Sequence, residues 1–185
     1  MNYLVKGKTP QAAPWSPPSG YVLVFSGKTT DVWRNTRAYP RLLTPVRATI
    51  TAPGNAPAPR TFAETNFRNL LWLTPRDDAD ARTAQVAATT CIGRIRVLSA
   101  QAKPTRITVE TQGNAPGWLV LGDIDFPGWQ ADVDGTTTPI HRANTMFQAV
   151  CVPAGNHTVT FAFHPWHMVA LAMRQAFHQR GNRFL

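Results

Sequence analysis

The chain has 185 residues, enough for one folded domain, and its 43% hydrophobic residues exclude a chain that is disordered throughout. Its 16 prolines and 12 glycines, against only 16% charged residues, favour short strands and frequent turns over a helical bundle. The formal net charge of +9 suits anionic partners, but the basic residues are scattered and carry no nucleic-acid-binding signature, so nucleic acid is not an expected partner.

The N-terminal part predicts a strand and then a proline-rich strap, together residues 1–20. Residues 6–20 contain four prolines, which lack an amide donor and favour extended backbone. The main domain is predicted over residues 21–166, and its first strands are expected at 21–25, 31–34 and 41–51. A second proline-rich loop follows at 52–60. Residues 67–73 fit either a strand or a helical turn, and the polar residues 76–82 predict a loop.

The pattern becomes clearer after residue 83. Residues 94–97 and 106–110 alternate polar and apolar side chains, as half-buried antiparallel strands do, and the wholly apolar residues 118–121 predict a central strand. Asp134-Gly135 predicts a tight hairpin turn, and residues 146–163 predict a last hairpin. About nine short strands indicate a mainly β fold, a two-layer antiparallel β-sandwich of jelly-roll-like type.

Residues 167–185 predict a basic amphipathic helix that either packs on the sandwich or lies on a membrane surface. The chain contains no run of about 18 apolar residues, so it predicts no membrane-spanning helix. Its start lacks the apolar region of a signal peptide. Taken alone, such a chain is expected to stay in the cytoplasm.

Cys91 and Cys151 both lie in stretches that predict strands. In an oxidising compartment they would pair across two sheets and close a loop of about 60 residues. The lost entropy of the unfolded chain would stabilise the fold by about 4 kcal/mol. As unpaired buried thiols they would act only as small hydrophobic residues. The sequence leaves both states open.

An ordered set of motifs fills residues 117–165. It comprises an apolar strand, Asp123, Phe126-Pro127-Gly128-Trp129, Val133-Asp134-Gly135, Pro139-Ile140, Phe147, Pro153-Ala154-Gly155 with His157, and an aromatic strand ending at Pro165. In this order the motifs resemble the C-terminal extracytoplasmic region of YfhO-type bacterial membrane proteins. Residues 31–41 and 3–5 resemble two further segments of that family.

The resemblance implies a non-catalytic accessory domain at the extracytoplasmic face of the bacterial cell membrane. The family is polytopic and similar to lipid-linked-sugar glycosyltransferases of the GT-C class, and its members are implicated in modifying cell-envelope polymers. Their catalytic acids lie in loops between membrane helices, a region that this sequence does not contain. The expected partner is the membrane-embedded part of the same or a neighbouring protein, with a glycan or an anionic lipid surface as a further one.

The resemblance has a limit at its C-terminal end. A transmembrane helix usually follows the family's last aromatic strand, whereas the basic helix stands there in this chain. The alternative function is therefore a stand-alone β-sandwich module that binds carbohydrate or an anionic surface. A small enzyme using paired aspartates is a third hypothesis. We expect no cofactor and no catalytic residue.

Four residues form the predicted ligand-binding set: Asp123, Asp125, Phe126 and Trp129. The two aromatic residues flank a Pro-Gly turn, where exposed rings would stack on the C–H faces of sugars. The carboxylates have the Asp-x-Asp spacing that holds a metal in nucleotide-sugar transferases, but the usual nucleotide-binding context is lacking. Ending a strand before a turn is sufficient explanation for them.

Two further residue sets contain metal-binding residue types but lack the pattern of a metal site. Asp132 and Asp134 would join the other two aspartates in a calcium site only if their loops converged. The histidines 141, 157, 164 and 167 lack the four-ligand pattern of a closed zinc site. His157 follows a Gly-Asn turn, so we expect its ring to bond the backbone there. The sequence thus predicts no metal site.

Overall fold

The computed structural model describes residues 3–8 and 15–165. Contacts divide the chain into two compact units, residues 1–40 and 41–185. The described part is mainly β, as predicted, with fourteen strands and two helices. The predicted helical tail, residues 167–185, lies outside the described residues, and the predicted domain limits stay predictions.

The first unit is a three-stranded antiparallel sheet. Its strands are β1 (Tyr3–Gly7), β2 (Tyr21–Ser26) and β3 (Thr30–Asn35), in the order β1-β3-β2. Strand β2 is a run of β-branched, aromatic and other apolar residues, a composition that favours a strand. Trp15, in the segment predicted as a strap, packs edge-on against Trp33 with ring centroids 6.2 Å apart.

The second unit contains two larger sheets and both helices. The elements of its first half are β4 (Leu42–Leu43), β5 (Arg47–Ile50), α1 (Pro59–Ala63), β6 (Leu70–Leu73), α2 (Asp78–Thr90), β7 (Ile95–Lys103) and β8 (Arg106–Gly113). Those of its second half are β9 (Gly117–Leu121), β10 (Trp129–Val133), β11 (Thr136–Thr138), β12 (His141–Ala143), β13 (Phe147–Val152) and β14 (Gly155–Phe163).

One large sheet has five antiparallel strands in the order β11-β10-β14-β8-β7, and the other has six in the order β4-β9-β13-β12-β6-β5. The six-stranded sheet is mixed, because β5 and β6 run parallel. The prediction of antiparallel sheets only was therefore wrong at this edge.

The β10–β11 hairpin is as predicted. Asp134 and Gly135 have positive φ angles of 52° and 78°, which a two-residue turn of this kind requires.

The core forms between the two large sheets and continues beneath α2. Strand β9 is buried on both faces: Leu119 and Leu121 join the cluster between the sheets, while Trp118 and Val120 join a second cluster with Ala84 of α2. Alternate residues of a strand point to opposite faces, so a strand between two packed layers must be wholly apolar. The prediction that residues 118–121 form a central strand is confirmed.

Helix α2 replaces the loop that was predicted over residues 76–82. Asp77 caps its N-terminus, since the Asp77 side chain accepts a hydrogen bond of 2.8 Å from the Asp80 amide. Acidic residues in the first turn also complement the helix dipole. The prediction of a loop was wrong because polar residues also form the first turn of a helix, and an aspartate cap before an alanine-rich stretch is a helix start.

The predicted last hairpin is a crossover. Strand β13 pairs with β9 and β12 in the six-stranded sheet, whereas β14 pairs with β8 and β10 in the five-stranded sheet. The turn residues between them lead the chain from one sheet to the other. Turn chemistry indicates a reversal of direction but does not specify which sheet the next strand joins.

Cys91 and Cys151 form a disulfide with their Cα atoms 5.9 Å apart and a sequence separation of 60. Cys91 is the residue that ends α2, not part of a strand, so the bond joins the helix end to β13 rather than two sheets.

None of the helices in the described residues is long and apolar enough to span a bilayer.

Candidate functional site

The candidate site is the loop that leads from β9 to β10. The buried strand β9 ends at Leu121, and the loop turns at Pro127-Gly128 before Trp129 begins β10. Gly128 has a φ angle of 107°, a conformation that favours glycine because it has no Cβ. The loop thereby places all four predicted ligand-binding residues in one region of the surface.

Both aspartates of the Asp-x-Asp pair bind an arginine. The Asp123 carboxylate accepts two hydrogen bonds from the Arg41 guanidinium, Oδ1 from Nε at 2.8 Å and Oδ2 from Nη2 at 2.5 Å. The Asp125 carboxylate pairs with Nη2 of Arg76, whose Nη1 also lies 3.2 Å from Asp80 Oδ2. The side chain of Asp125 is only 7% exposed. These pairs satisfy the charge of the two carboxylates, so they hold the loop and are poorly suited to a metal.

Backbone contacts fix the loop from several directions. The amide of Asp125 donates to the Met146 carbonyl at 2.6 Å, and the Gln148 side-chain amide donates to the Ile124 carbonyl at 3.2 Å. At the other end, the His164 amide donates to the Gly128 carbonyl at 2.8 Å. With both arginine pairs, these bonds tie the loop to segments far from it in sequence, which makes it a preorganised surface.

The two aromatic side chains differ in exposure. Phe126 is 52% exposed, whereas Trp129 is half-buried and packs on Phe163 with ring centroids 5.5 Å apart. An open phenyl ring beside a supported indole is a common combination at binding surfaces, because large rigid rings give contact area at little entropy cost. The prediction of an exposed aromatic pair thus fits Phe126 fully and Trp129 in part.

Phe126 and Trp129 border two hollows in the second unit. The first hollow, of about 380 Å³, is lined by Arg76, Asp125, Phe126, Pro127, Gly128, Trp129, Gln130, Ala131, Thr137, Thr138 and Ile140. The second hollow, of about 480 Å³, is lined by Pro104, Gly122, Asp123, Ile124, Phe126, Trp129 and Phe163. Aromatic faces with nearby hydroxyl, amide and carboxylate groups can both stack on a polyhydroxylated ligand and hydrogen-bond it.

The other two aspartates lie apart from this loop in their contacts. Asp132 Oδ1 accepts from the Gly135 amide at 3.3 Å, and Asp134 contacts His157. The described residues contain no group of three or more histidine, cysteine or acidic residues placed to hold a metal ion. The structure therefore does not bring the four aspartates together as a calcium site would require.

His157 joins the crossover between the sheets to the β10–β11 turn. Its Nδ1 lies 2.6 Å from Asp134 Oδ2, and its Nε2 lies 2.9 Å from the Ala154 carbonyl, so the protonated ring donates to both. The Asp134 carboxylate, and then that carbonyl, raise the pKa of His157. His157, and then the Thr158 amide, lower the pKa of Asp134. The expected backbone bond of His157 is confirmed.

Among the other histidines of the described residues, His141 lies in a different environment from His157. His141 on β12 is buried, with its Nδ1 3.8 Å from Asp80 and its ring edge-on to Trp118 at 5.8 Å. Burial lowers the pKa of His141, so it is neutral at pH 7. His167 lies outside the described residues.

Sequence reasoning did not identify the two arginines of the site. Arg41 and Arg76 reach their aspartates across 82 and 49 residues of sequence. No local pattern signals pairs this distant, and Arg41 is one of 19 basic residues scattered along the chain. Thr137 and Thr138 of the first hollow were also missed, because their pairing with β10 follows only from the correct hairpin register.

No curated protein and no solved structure matches this chain significantly. A family model does match residues 84–173, the region that runs from α2 past the Phe126–Trp129 loop and β14. It covers the motifs at residues 117–165 that carry the resemblance described above, while residues 31–41 and 3–5 lie outside it. This region of the chain matches the family described as bacterial membrane protein YfhO.

Proposed function

We propose that this chain is a non-catalytic, extracytoplasmic accessory domain of a membrane glycosyltransferase-like protein that modifies cell-envelope polymers. The family match over residues 84–173 supports the link to a bacterial membrane protein. The chemistry would take place in a membrane-embedded part of the same or a neighbouring protein. Its scaffold would be a jelly-roll-like sandwich, since the chain passes repeatedly between two facing sheets.

The disulfide supports the extracytoplasmic location. Disulfides form and persist in oxidising compartments, and Cys91 and Cys151 lie at bonding distance with Cys91 fully buried. A cytoplasmic chain would keep both thiols reduced.

The observation that carries the binding role is the exposed Phe126 ring between two hollows on a fixed loop. We propose that this surface holds a carbohydrate segment of the polymer, with Phe126 and Trp129 stacking on sugar rings. Asp123 and Asp125 would position the loop through their arginines rather than bind a metal. A stand-alone carbohydrate-binding module would use the same surface, so the binding test below applies to both functions.

The test measures binding of the 185-residue chain to immobilised bacterial envelope polysaccharides. Phe126→Ala removes an exposed ring and should weaken binding by about threefold to tenfold, the usual range for one aromatic contact. Val86→Ala is the matched control, since Val86 is 67% exposed on α2 and lines neither hollow. Equal binding by wild type and Phe126→Ala would exclude the loop as the glycan site.

The genomic setting separates the two functions. A reading frame for several apolar helices, joined to this one or beside it, would favour the accessory domain. Binding of glycans without any such neighbour would favour the stand-alone module.

A further inference from the structure

The three-stranded sheet of the first unit has one face that carries a group of apolar side chains. In the register of the sheet, Val5 and Phe25 are both opposite Val32, and Tyr3 and Val22 are both opposite Arg34. Residues directly opposite each other on antiparallel strands point to the same side. These residues therefore form two adjacent cross-strand rows, which we call the Val32 face.

The members of the Val32 face on the edge strands are strongly exposed. The exposed fractions are 53% for Tyr3, 67% for Val5, 41% for Val22 and 58% for Phe25. Such contiguous apolar exposure on a sheet usually marks a contact surface. The opposite side differs, because Trp15 packs there on Trp33, and Lys6 Nζ lies 5.6 Å from the Trp15 ring.

The first unit is also positively charged. Residues 1–40 contain five basic residues and one acidic residue, a net charge of +4, and the acidic residue, Asp31, is paired with Lys8 at 2.8 Å. Arg34 lies within the Val32 face, and Lys28 stands in the turn between β2 and β3. The occupant of the face must therefore accept apolar side chains and positive charge together.

We infer that the Val32 face contacts an anionic membrane surface. Aliphatic and aromatic side chains would enter the boundary between headgroups and acyl chains, while arginine and lysine would bind the anionic headgroups. A second copy of the chain is a worse match, because its identical face would bring a second positive charge and a second Arg34 against the first. This surface is separate from the Phe126–Trp129 loop, so the inference does not depend on glycan binding.

The test is co-sedimentation of the 185-residue chain with lipid vesicles. Vesicles of phosphatidylcholine mixed with phosphatidylglycerol should bind the chain, and vesicles of phosphatidylcholine alone should bind it less. The double variant Val5→Thr, Phe25→Thr places threonine, a β-branched residue suited to strands, at both positions and should lower binding by about tenfold. Leu98→Thr is the matched control, since Leu98 is a 52% exposed strand residue of β7 in the second unit.

A charge variant keeps the test decisive if the double variant folds poorly. Arg34→Gln with Lys28→Gln leaves every apolar contact in place and should reduce binding to the anionic vesicles only. Wild type that fails to bind either vesicle would overturn the inference. So would equal binding by wild type and both variants, which would assign lipid binding to another segment. A dimer of wild type that the apolar variant abolishes would assign the face to a second copy.

Discussion

Asp123 and Asp125 stand two residues apart on one loop, yet their ion pairs differ in burial. The Asp125 side chain is 7% exposed, whereas those of Asp123 and Arg41 are 23% and 51% exposed. An exposed pair is screened by water and adds little stability, but a carboxylate that is out of water depends on its partner. The burial of each aspartate in the loop, rather than the residue type, therefore decides how much its ion pair contributes to stability.

We predict that Asp125→Asn destabilises the protein more than Asp123→Asn does. Loss of the Asp125 charge leaves Arg76 with Asp80 as its acidic partner among the described pairs, at an expected cost of about 1–2 kcal/mol. The Asp123 substitution should cost less than about 1 kcal/mol. Urea unfolding of both variants measures the difference. The assignment of the two aspartates fails if the order of the two costs is reversed.

The His157–Asp134 pair predicts a pH dependence of stability. The pKa of His157 is raised from its ordinary value of 6.5, so its stabilising contribution is complete below about pH 6.5 and declines as pH rises through the folded-state value. The pKa of Asp134 is lowered from 3.8, so its contribution is complete above about pH 4 and declines as pH falls through the folded-state value. The pair therefore stabilises most between these limits.

His157→Gln tests this window. Gln keeps a polar side chain but has no proton to gain, so the wild type should exceed the variant in free energy of unfolding more at pH 5.5 than at pH 8.5. Urea titrations at both pH values measure it. A wild-type advantage that does not change with pH would mean that the ring acts without its charge.

At the scale of elements, the sequence predicted what depends on neighbours in the chain. The Asp134-Gly135 turn, the alternating strands β7 and β8, and the buried strand β9 all follow from local pattern. The crossover between β13 and β14 and the parallel pair of β5 and β6 do not, because pairing partners are chosen by packing of the whole sheet. The arginines of the site were missed for the same reason.

Helix α2 is the exception, because its local signal existed. Asp77 as the cap and the alanines after it indicate a helix. Cys91, which forms the disulfide, lies at the end of this helix. Its small apolar face, with Ala84 buried, gives it a weak hydrophobic pattern. We therefore expect α2 to depend on its covalent tie to β13.

Removal of the disulfide should lower stability markedly. Chain entropy for a closed loop of 60 residues gives about 4 kcal/mol as the upper expectation. The variant Cys91→Ala, Cys151→Ala avoids an unpaired thiol. It should unfold at a lower urea concentration than the wild type, with a free energy of unfolding reduced by about 2–4 kcal/mol. Wild type treated with reductant should behave in the same way. Mass spectrometry that finds two free thiols in the untreated protein would contradict the bond itself.

At the scale of the second unit, β9 connects the two buried clusters. Its residues alternate between the cluster shared by the two large sheets and the cluster beneath α2. One strand common to both clusters should make them unfold together, because loss of β9 removes packing from both. Phe161 belongs to the first cluster and Leu71 to the second, and both are fully buried.

We predict one cooperative unfolding transition for this unit, lowered by a substitution in either cluster. Phe161→Ala should cost about 3–5 kcal/mol and Leu71→Ala about 2–5 kcal/mol, because each leaves a cavity that the tightly packed sheets cannot close. Phe126→Ala, at an exposed position, should cost less than about 0.5 kcal/mol. Near-ultraviolet circular dichroism should show a single unfolding transition. Amide hydrogen exchange should give the strands of both sheets the same free energy of opening. A Leu71→Ala protein in which the six-stranded sheet exchanges early, while the five-stranded sheet keeps the wild-type protection, would show that β9 does not couple the two clusters.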